Sequence, residues 1–399
     1  MRRVPVLVVG AATALTLGLT ITPAQAHGGH KPPRPPSATT VADGLLTALS
    51  FAVGADGTAY VSQNFAGVLT KVPKHGARSD LYSSGGAEVG GVSVAGSKIL
   101  FAETGFTGDP QNPGGFTGIK SVDKRGTVKV VADTGAYEIA KNPDGGVVYG
   151  ARGISAACRA QWPAPDPATG EGPPPSTYNG DVNPHPYGTL PGPSGTTFVA
   201  DAGANSIQRI SASGRITTLA LMPAQPIMIT AELAGGLGIP ACAVGLKYFF
   251  DPVPTDVEWG PDGWLYVTLL PGGPEDASFG ARGAVYKVHP RTGRTVKVAG
   301  GFTGATNLAV TPKGDIYVSE IIGNQVSVLK RGSRTPKRFT ALPWATSVEY
   351  ARGSLYATSS PELEDLFAGL PPAAESTLVK YRLGHRHPSS GHTHHKHRR

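Results

Sequence analysis

Apolar and polar residues alternate along most of this chain, and a short turn ending in Gly recurs just before a run of aromatic or aliphatic residues. The segments are DGTAYVSQ from Asp56, GSKILFAE from Gly96, DGGVVYG from Asp144, SGTTFVAD from Ser194, DGWLYVT from Asp262, KGDIYVSE from Lys313 and RGSLYATS from Arg352. Most are answered further on by a second alternating run that closes in a charged turn, as in VLTKVPKHG from Val68, IKSVDKRG from Ile119, AVYKVHPRTG from Ala284 and VSVLKRG from Val326. Period-two alternation marks strands with one face packed, and the Gly turns mark hairpins. A four-strand unit recurring every ~40–50 residues predicts an all-β chain folded as a β-propeller, because one blade cannot bury both of its faces and must stack on its neighbours.

The units fall at about 45–83, 86–134, 184–222, 254–300, 302–342 and 344–383, which predicts a six-bladed β-propeller over residues 38–384. The turn NPDGG before Val147 leaves a seven-bladed arrangement as the alternative. The pattern breaks twice, at about 135–183, which contains the stretch AQWPAPDPATGEGPPPSTYNGD, and at 223–253, where an apolar run predicts a short helix. Both breaks flank the third unit and are expected to share a face. The final unit lacks an outer strand, which Thr39–Leu45 can supply, closing the ring without a covalent bond.

Composition changes this picture at the ends. Arg2, Arg3, an apolar run from Val4 to Ile21 and Ala24-Gln25-Ala26 form the pattern of a cleaved export signal over residues 1–26. The mature chain is then expected to be secreted or extracytoplasmic and to keep no transmembrane segment. Residues 27–37 and 385–399 read as disordered arms, the first rich in Pro and His and the second in His and Arg. The formal charge of +8 is carried by Arg2, Arg3, Lys31, Arg34, Arg386, Lys396, Arg398 and Arg399, so the body sums to zero and nucleic acid is not expected as a partner. Cys158 and Cys242, the only two cysteines, each fall in one of the breaks, and an exported chain is expected to join them in a disulfide.

The stretches AYEIAKNPDGG from Ala136, NPHPYGTLPG from Asn183, FVADAGANSIQRISASGRITTLALMP from Phe198 and VPTDVEWGPDGWLYVT from Val253 resemble the ScyD/ScyE family of exported propellers, which is similar to NHL-repeat proteins. The resemblance covers about residues 45–383. It implies an extracytoplasmic six-bladed propeller and supplies no catalytic residues. The segment between Gly146 and Asp181 and the His-bearing tails lie outside the family pattern.

Chemistry is sparser. HExxH, CxxC, GxSxG and phosphate-binding Gly loops are absent. Propeller sites form where inner strands converge on the axis. Aligning the units puts Asp256, Asn307 and Ser347 at the starts of inner strands, with Ala48 and Gly91 at the corresponding points of the first two units. Glu138 joins them if its segment lies inward, and His185 precedes the third inner strand. Such oxygens suit Ca²⁺ or Mg²⁺, or they cap strands and bind channel water. Glu103, Asp201 and Glu320, at the ends of second strands, are read as structural carboxylates. In the tails, His27, His30, His392, His394, His395 and His397 can hold Zn²⁺ or Cu²⁺ weakly. These features favour a monomeric extracellular binding or scaffold module for a small molecule, glycan or protein, with a metal-dependent lactonase or hydrolase using an axial cation as the alternative.

Overall fold

A computed structural model of the chain describes residues 36–106, 114–164, 172–274 and 276–383. The export signal, the tail histidines and almost all of the two arms lie outside these residues. Six four-stranded antiparallel sheets follow the sequence repeat. The first is Ser50–Val53, Ala59–Gln63, Val68–Val72 and Ser79–Ser83, and the second runs from Glu88–Ala95 to Val128–Asp133. The third starts with Pro186–Pro191, the fourth with Pro254–Trp259, the fifth with Ala305–Val310 and the sixth with Ala345–Ala351. Gly57, Gly263 and Gly314 turn first strands into second strands at φ of +90°, +74° and +85°, a conformation that a side chain disfavours.

The innermost strand of each sheet packs on that of the next, and the sixth packs on the first. Each junction owns a hydrophobic cluster. Phe101 and Leu69 meet between the first and second sheets, and Ile119 and Ile210 between the second and third. Leu190 and Leu265 belong to the third junction, and Phe302 and Val318 to the next. Val326 and Leu355 pack in the fifth, and Phe51 and Leu378 close the ring. No sheet has a core of its own, because each buries its two faces against different neighbours. Ala38–Leu45 pairs antiparallel with Ser376–Arg382 and supplies the outer strand of the sixth sheet, so two chain ends lock the ring by hydrogen bonds.

A seventh four-stranded sheet lies outside this cycle and is built from both breaks in the repeat. Val148–Ala151 and Thr177–Asn179 come from the first, and Gln225–Met228 and Lys247–Phe250 from the second. Its core gathers Ile154, Ile229, Tyr248 and Phe250 around Cys158. The predicted helix forms at Ala231–Leu237, with Thr230 capping its N-terminus through Leu233 N–H. Cys158 and Cys242 are bonded, with Cα atoms 5.7 Å apart. Both breaks leave outer strands and return to inner ones, so this sheet covers the face on which inner strands begin.

Replacing both cysteines by Ser removes a crosslink over a sequence separation of 84 residues, worth up to about 4–5 kcal/mol in the chain-entropy account. We expect lower stability together with faster hydrogen exchange at 148–151 and 247–250, while exchange in the fifth blade's strands stays at its original rate. Uniformly faster exchange throughout the ring would show that the seventh sheet is not a separate unit.

Candidate functional site

The innermost strand of a blade has one neighbour, so its axial edge carries backbone N–H and C=O groups without a ladder partner. Burying these unpaired is costly. Side chains from neighbouring blades satisfy them. Leu308 N–H donates to Asp256 Oδ2 at 3.0 Å and Val348 N–H to Asn307 Oδ1 at 2.9 Å. Val53 N–H donates to Glu349 Oε2 at 2.7 Å, and Val92 N–H to Ser50 Oγ at 2.9 Å. Hydroxyls supply the carbonyls. Thr306 Oγ1 donates to Thr346 O, and Thr346 Oγ1 to Ala48 O, each at 2.8 Å. The inner strands are thus laced from blade to blade around the axis.

Within this lacing lies a cavity of about 200 Å³ lined by all six inner strands. Asp256, Glu258, Asn307 and Glu349 supply its acidic and amide groups, with Ser50, Ser93 and Thr189 opposite; no Lys, Arg or His lines it. The lining runs from the middle of the inner strands toward their ends, so the cavity faces away from the seventh sheet. Although Glu258 and Glu349 touch solvent, they lie deep in the ring, and removal from bulk water dominates their titration. Burial pushes Asp256 up to about 7. It pushes Glu349 up to about 8, with the charge of Asp256 adding to the effect. Glu258 is raised well above the ordinary value by burial and then by Asp256 and Glu349.

The expected site residues divide. Asp256 and Asn307 line the cavity. Ser347 is fully buried, its Oγ has no partner, and it does not line the cavity. Glu138 does not line it either. Its segment is a helix, Thr134–Lys141, whose first turn Asp133 caps by accepting Ala136 N–H at 2.7 Å, so the inward-strand expectation fails. Glu138 Oε1 accepts Asn183 N–H at 2.7 Å and Oε2 is unpartnered. Burial, with Asp201 second, pushes this carboxyl up to about 9. His185 is also absent from the cavity lining, and its Nε2 lies 3.0 Å from Glu88 Oε2. Burial opposes its charge, but Glu88 outweighs burial and raises the imidazole pKa. In the first blade, cross-strand register places Ser50 opposite Ser62, as Asp256 stands opposite Thr268, so the residue corresponding to Asp256 is Ser50 rather than Ala48.

Glu258 and Glu349 escaped the sequence reading. Each stands two residues beyond an expected position, in PTDVEW and ATSVEY, and residues i and i+2 of a strand share a face. Asp201 and Glu320 tie neighbouring backbone, accepting from His185 and Ala204 N–H and from Thr303 N–H. Glu103 instead pairs with Lys120 at 2.7 Å. Among the described residues, no group of three or more His, Cys, Asp or Glu side chains is arranged to hold a metal ion, and Glu138, His185 and Ser347 lie away from the cavity.

No protein-family model matches the chain, and no curated protein matches it in sequence. Among solved structures, it is similar to a putative glucose dehydrogenase-type oxidoreductase of Thermus thermophilus, at 15% identity over 86% of this chain and 99% of that one, TM-score 0.52. A gluconolactonase of Xanthomonas campestris matches at 13% identity over 86% and 89%, TM-score 0.51. The PQQ-bound aldose sugar dehydrogenase of Streptomyces coelicolor matches at 12% identity over 88% and 99%, TM-score 0.51. The fold is a β-propeller. At these identities the likeness extends to the fold alone.

Because the cavity carboxyls hold protons more tightly folded than unfolded, the folded chain binds more protons between the ordinary carboxyl value, about 4, and the raised values. Stability must therefore fall as pH rises through that window and level off above it. Asp256→Asn keeps an acceptor for Leu308 N–H and removes one titration, so its melting temperature should decline less between pH 5 and 9. Asp256→Ala strands that N–H and should cost about 1–3 kcal/mol even at pH 5. Parallel pH profiles for wild type and Asp256→Asn would show that Asp256 does not carry the linkage.

Proposed function

We propose that the axial cavity is the functional site, and that it takes a small hydroxylated molecule and hydrolyses it, with sugar-type lactones as the substrate class. The observation that supports this is the gathering of Asp256, Glu258 and Glu349 in one cavity with no cationic side chain, two of them titrating near neutrality. Such a set can hold one carboxyl protonated beside another that is ionised, the condition for paired general acid and base. The volume suits a monosaccharide-sized ligand, and carboxyl, amide and hydroxyl groups suit sugar hydroxyls. A gluconolactonase and two sugar dehydrogenases among the similar structures fit the same reading. This reverses the sequence-based preference for a binding module.

In this reading Asp256 accepts a proton from water as the water oxygen bonds to the lactone carbonyl carbon. Glu258 donates its proton to the ring oxygen as the acyl C–O bond breaks, leaving a hydroxy acid. Asn307 and Ser50 position the substrate hydroxyls. The steps written here use side chains of this chain alone. We also propose extracytoplasmic work, supported by the Cys158–Cys242 bond, which persists in oxidising compartments, and by the ScyD/ScyE resemblance.

The test is hydrolysis of five- and six-membered aldonolactones by the purified mature chain, read by proton release with chelator present. Glu258→Gln and Asp256→Asn should each lower kcat/KM by about 10²–10⁴-fold with melting retained. Saturable lactone binding without turnover would return the chain to the binding-module class, and turnover unchanged in both variants would place the chemistry elsewhere.

A further inference from the structure

We propose that the face carrying the Gly turns, onto which the axial cavity opens, binds an anionic polysaccharide in two basic clefts between neighbouring blades. Turns joining first to second strands and third to fourth strands share this face, because third strands run parallel to first strands. The larger cleft, about 560 Å³, lies between the fourth and fifth blades. Its rim carries Lys287, Lys297, Lys330, Arg331 and Arg334. Lys287 is paired with Asp262 at 3.0 Å and Lys330 with Asp315 at 2.7 Å. Among the described residues, Lys297, Arg331 and Arg334 form no ion pair, and all three are exposed. Three uncompensated cations therefore border a floor that includes Tyr266, Val298 and Ile316.

The arrangement recurs between the sixth and first blades, in a cleft of about 480 Å³. Lys74, Arg352, Lys380 and Arg382 line it with Tyr356 and Leu383, and no Asp or Glu does. None of these four cations forms an ion pair among the described residues. Scattered surface lysines would be an ordinary solvated face. Two clefts at corresponding positions, each joining unpaired cations to an aliphatic and tyrosine floor, instead match a ligand that alternates anionic groups with ring carbons. One polymer reaching both clefts gains from effective concentration what each exposed contact lacks. Single-stranded nucleic acid has similar charge but needs open aromatic platforms for its bases. Lys380 Nζ already stands over the Tyr356 ring, 5.1 Å from its centroid, so sulfated, phosphorylated or uronic saccharide fits better than bases.

The experiment titrates the full-length mature chain with dextran sulfate, neutral dextran of equal length and a single-stranded oligonucleotide over a range of ionic strength. Dextran sulfate should bind and weaken as salt rises. Lys297→Ala/Arg331→Ala/Arg334→Ala and Lys74→Ala/Arg382→Ala should each bind it at least about tenfold more weakly, with a shallower salt dependence. Their melting should be unchanged. All variants keep residues 384–399, so undiminished binding in both would assign it to the basic tail and overturn the proposal. Equal binding of neutral dextran would overturn it too, as would an oligonucleotide bound as tightly through the same residues.

Discussion

The unpaired axial edge of the inner strands is the constraint on which the rest of this molecule depends. Six strands converge on one axis, and none of their inward N–H or C=O groups can find a ladder partner there. The chain answers with side chains that reach from one blade to the next: Asp256 to Leu308 N–H, Asn307 to Val348 N–H and Glu349 to Val53 N–H. Acceptors at these positions fix each blade relative to its neighbour, and they also bring carboxyl groups to the centre of the protein, away from water. The structural solution thereby creates the electrostatic problem. Buried carboxyls with no cation nearby keep their protons toward neutral pH, and the oxygens that hold the ring together become the groups able to exchange protons in its cavity.

The two faces of the ring are used differently. Segments that leave the outer strands on either side of the third blade pair with each other, Gly150 opposite Phe249 and Ala151 opposite Tyr248, and a disulfide fastens them. This seventh sheet occupies the face where inner strands begin, together with the Glu88–His185 pair and buried Glu138. Among the described residues, the opposite face carries short turns and the two ends of the described chain. Access to the axial cavity is left on that side, and the cavity lining from Ser50 through Val53 and from Gly188 through Pro191 follows it.

Features written in local pattern were legible from the sequence. The Gly turns, the four-stranded sheets of the repeat, the closing strand at Ala38–Leu45 and the helix at Ala231–Leu237 all follow from alternation, turn chemistry or a missing partner. The two cysteines lay in the two breaks, and bond as that placement suggested. What local pattern does not encode is pairing between distant segments, so the seventh sheet, which joins 148–151 to 247–250, had no signature. Glu138 reaches the axis only if its segment lies inward, and that condition fails because Asp133 and Asn142 cap a helix there. Aligning the units places Asp256 and Asn307 on inner strands, and both line the cavity. Glu258 and Glu349 were overlooked although the same strand geometry pointed to them two residues on.

Charge shows most clearly why a total is weaker than a map. Equal numbers of acidic and basic residues in the body give no expectation of a nucleic-acid partner. The fold separates them instead, gathering carboxyls in the axial cavity and leaving unpaired Lys and Arg side chains in clefts on the face where the cavity opens. For the hydrolysis proposed here this separation has a direction. A lactone is neutral as it approaches and suffers no repulsion from Asp256, Glu258 and Glu349, but its hydroxy acid product ionises and is then repelled by the same carboxyls. The nearest favourable potential for that anion is the basic face outside, so the field that opposes product retention inside the ring also draws it out.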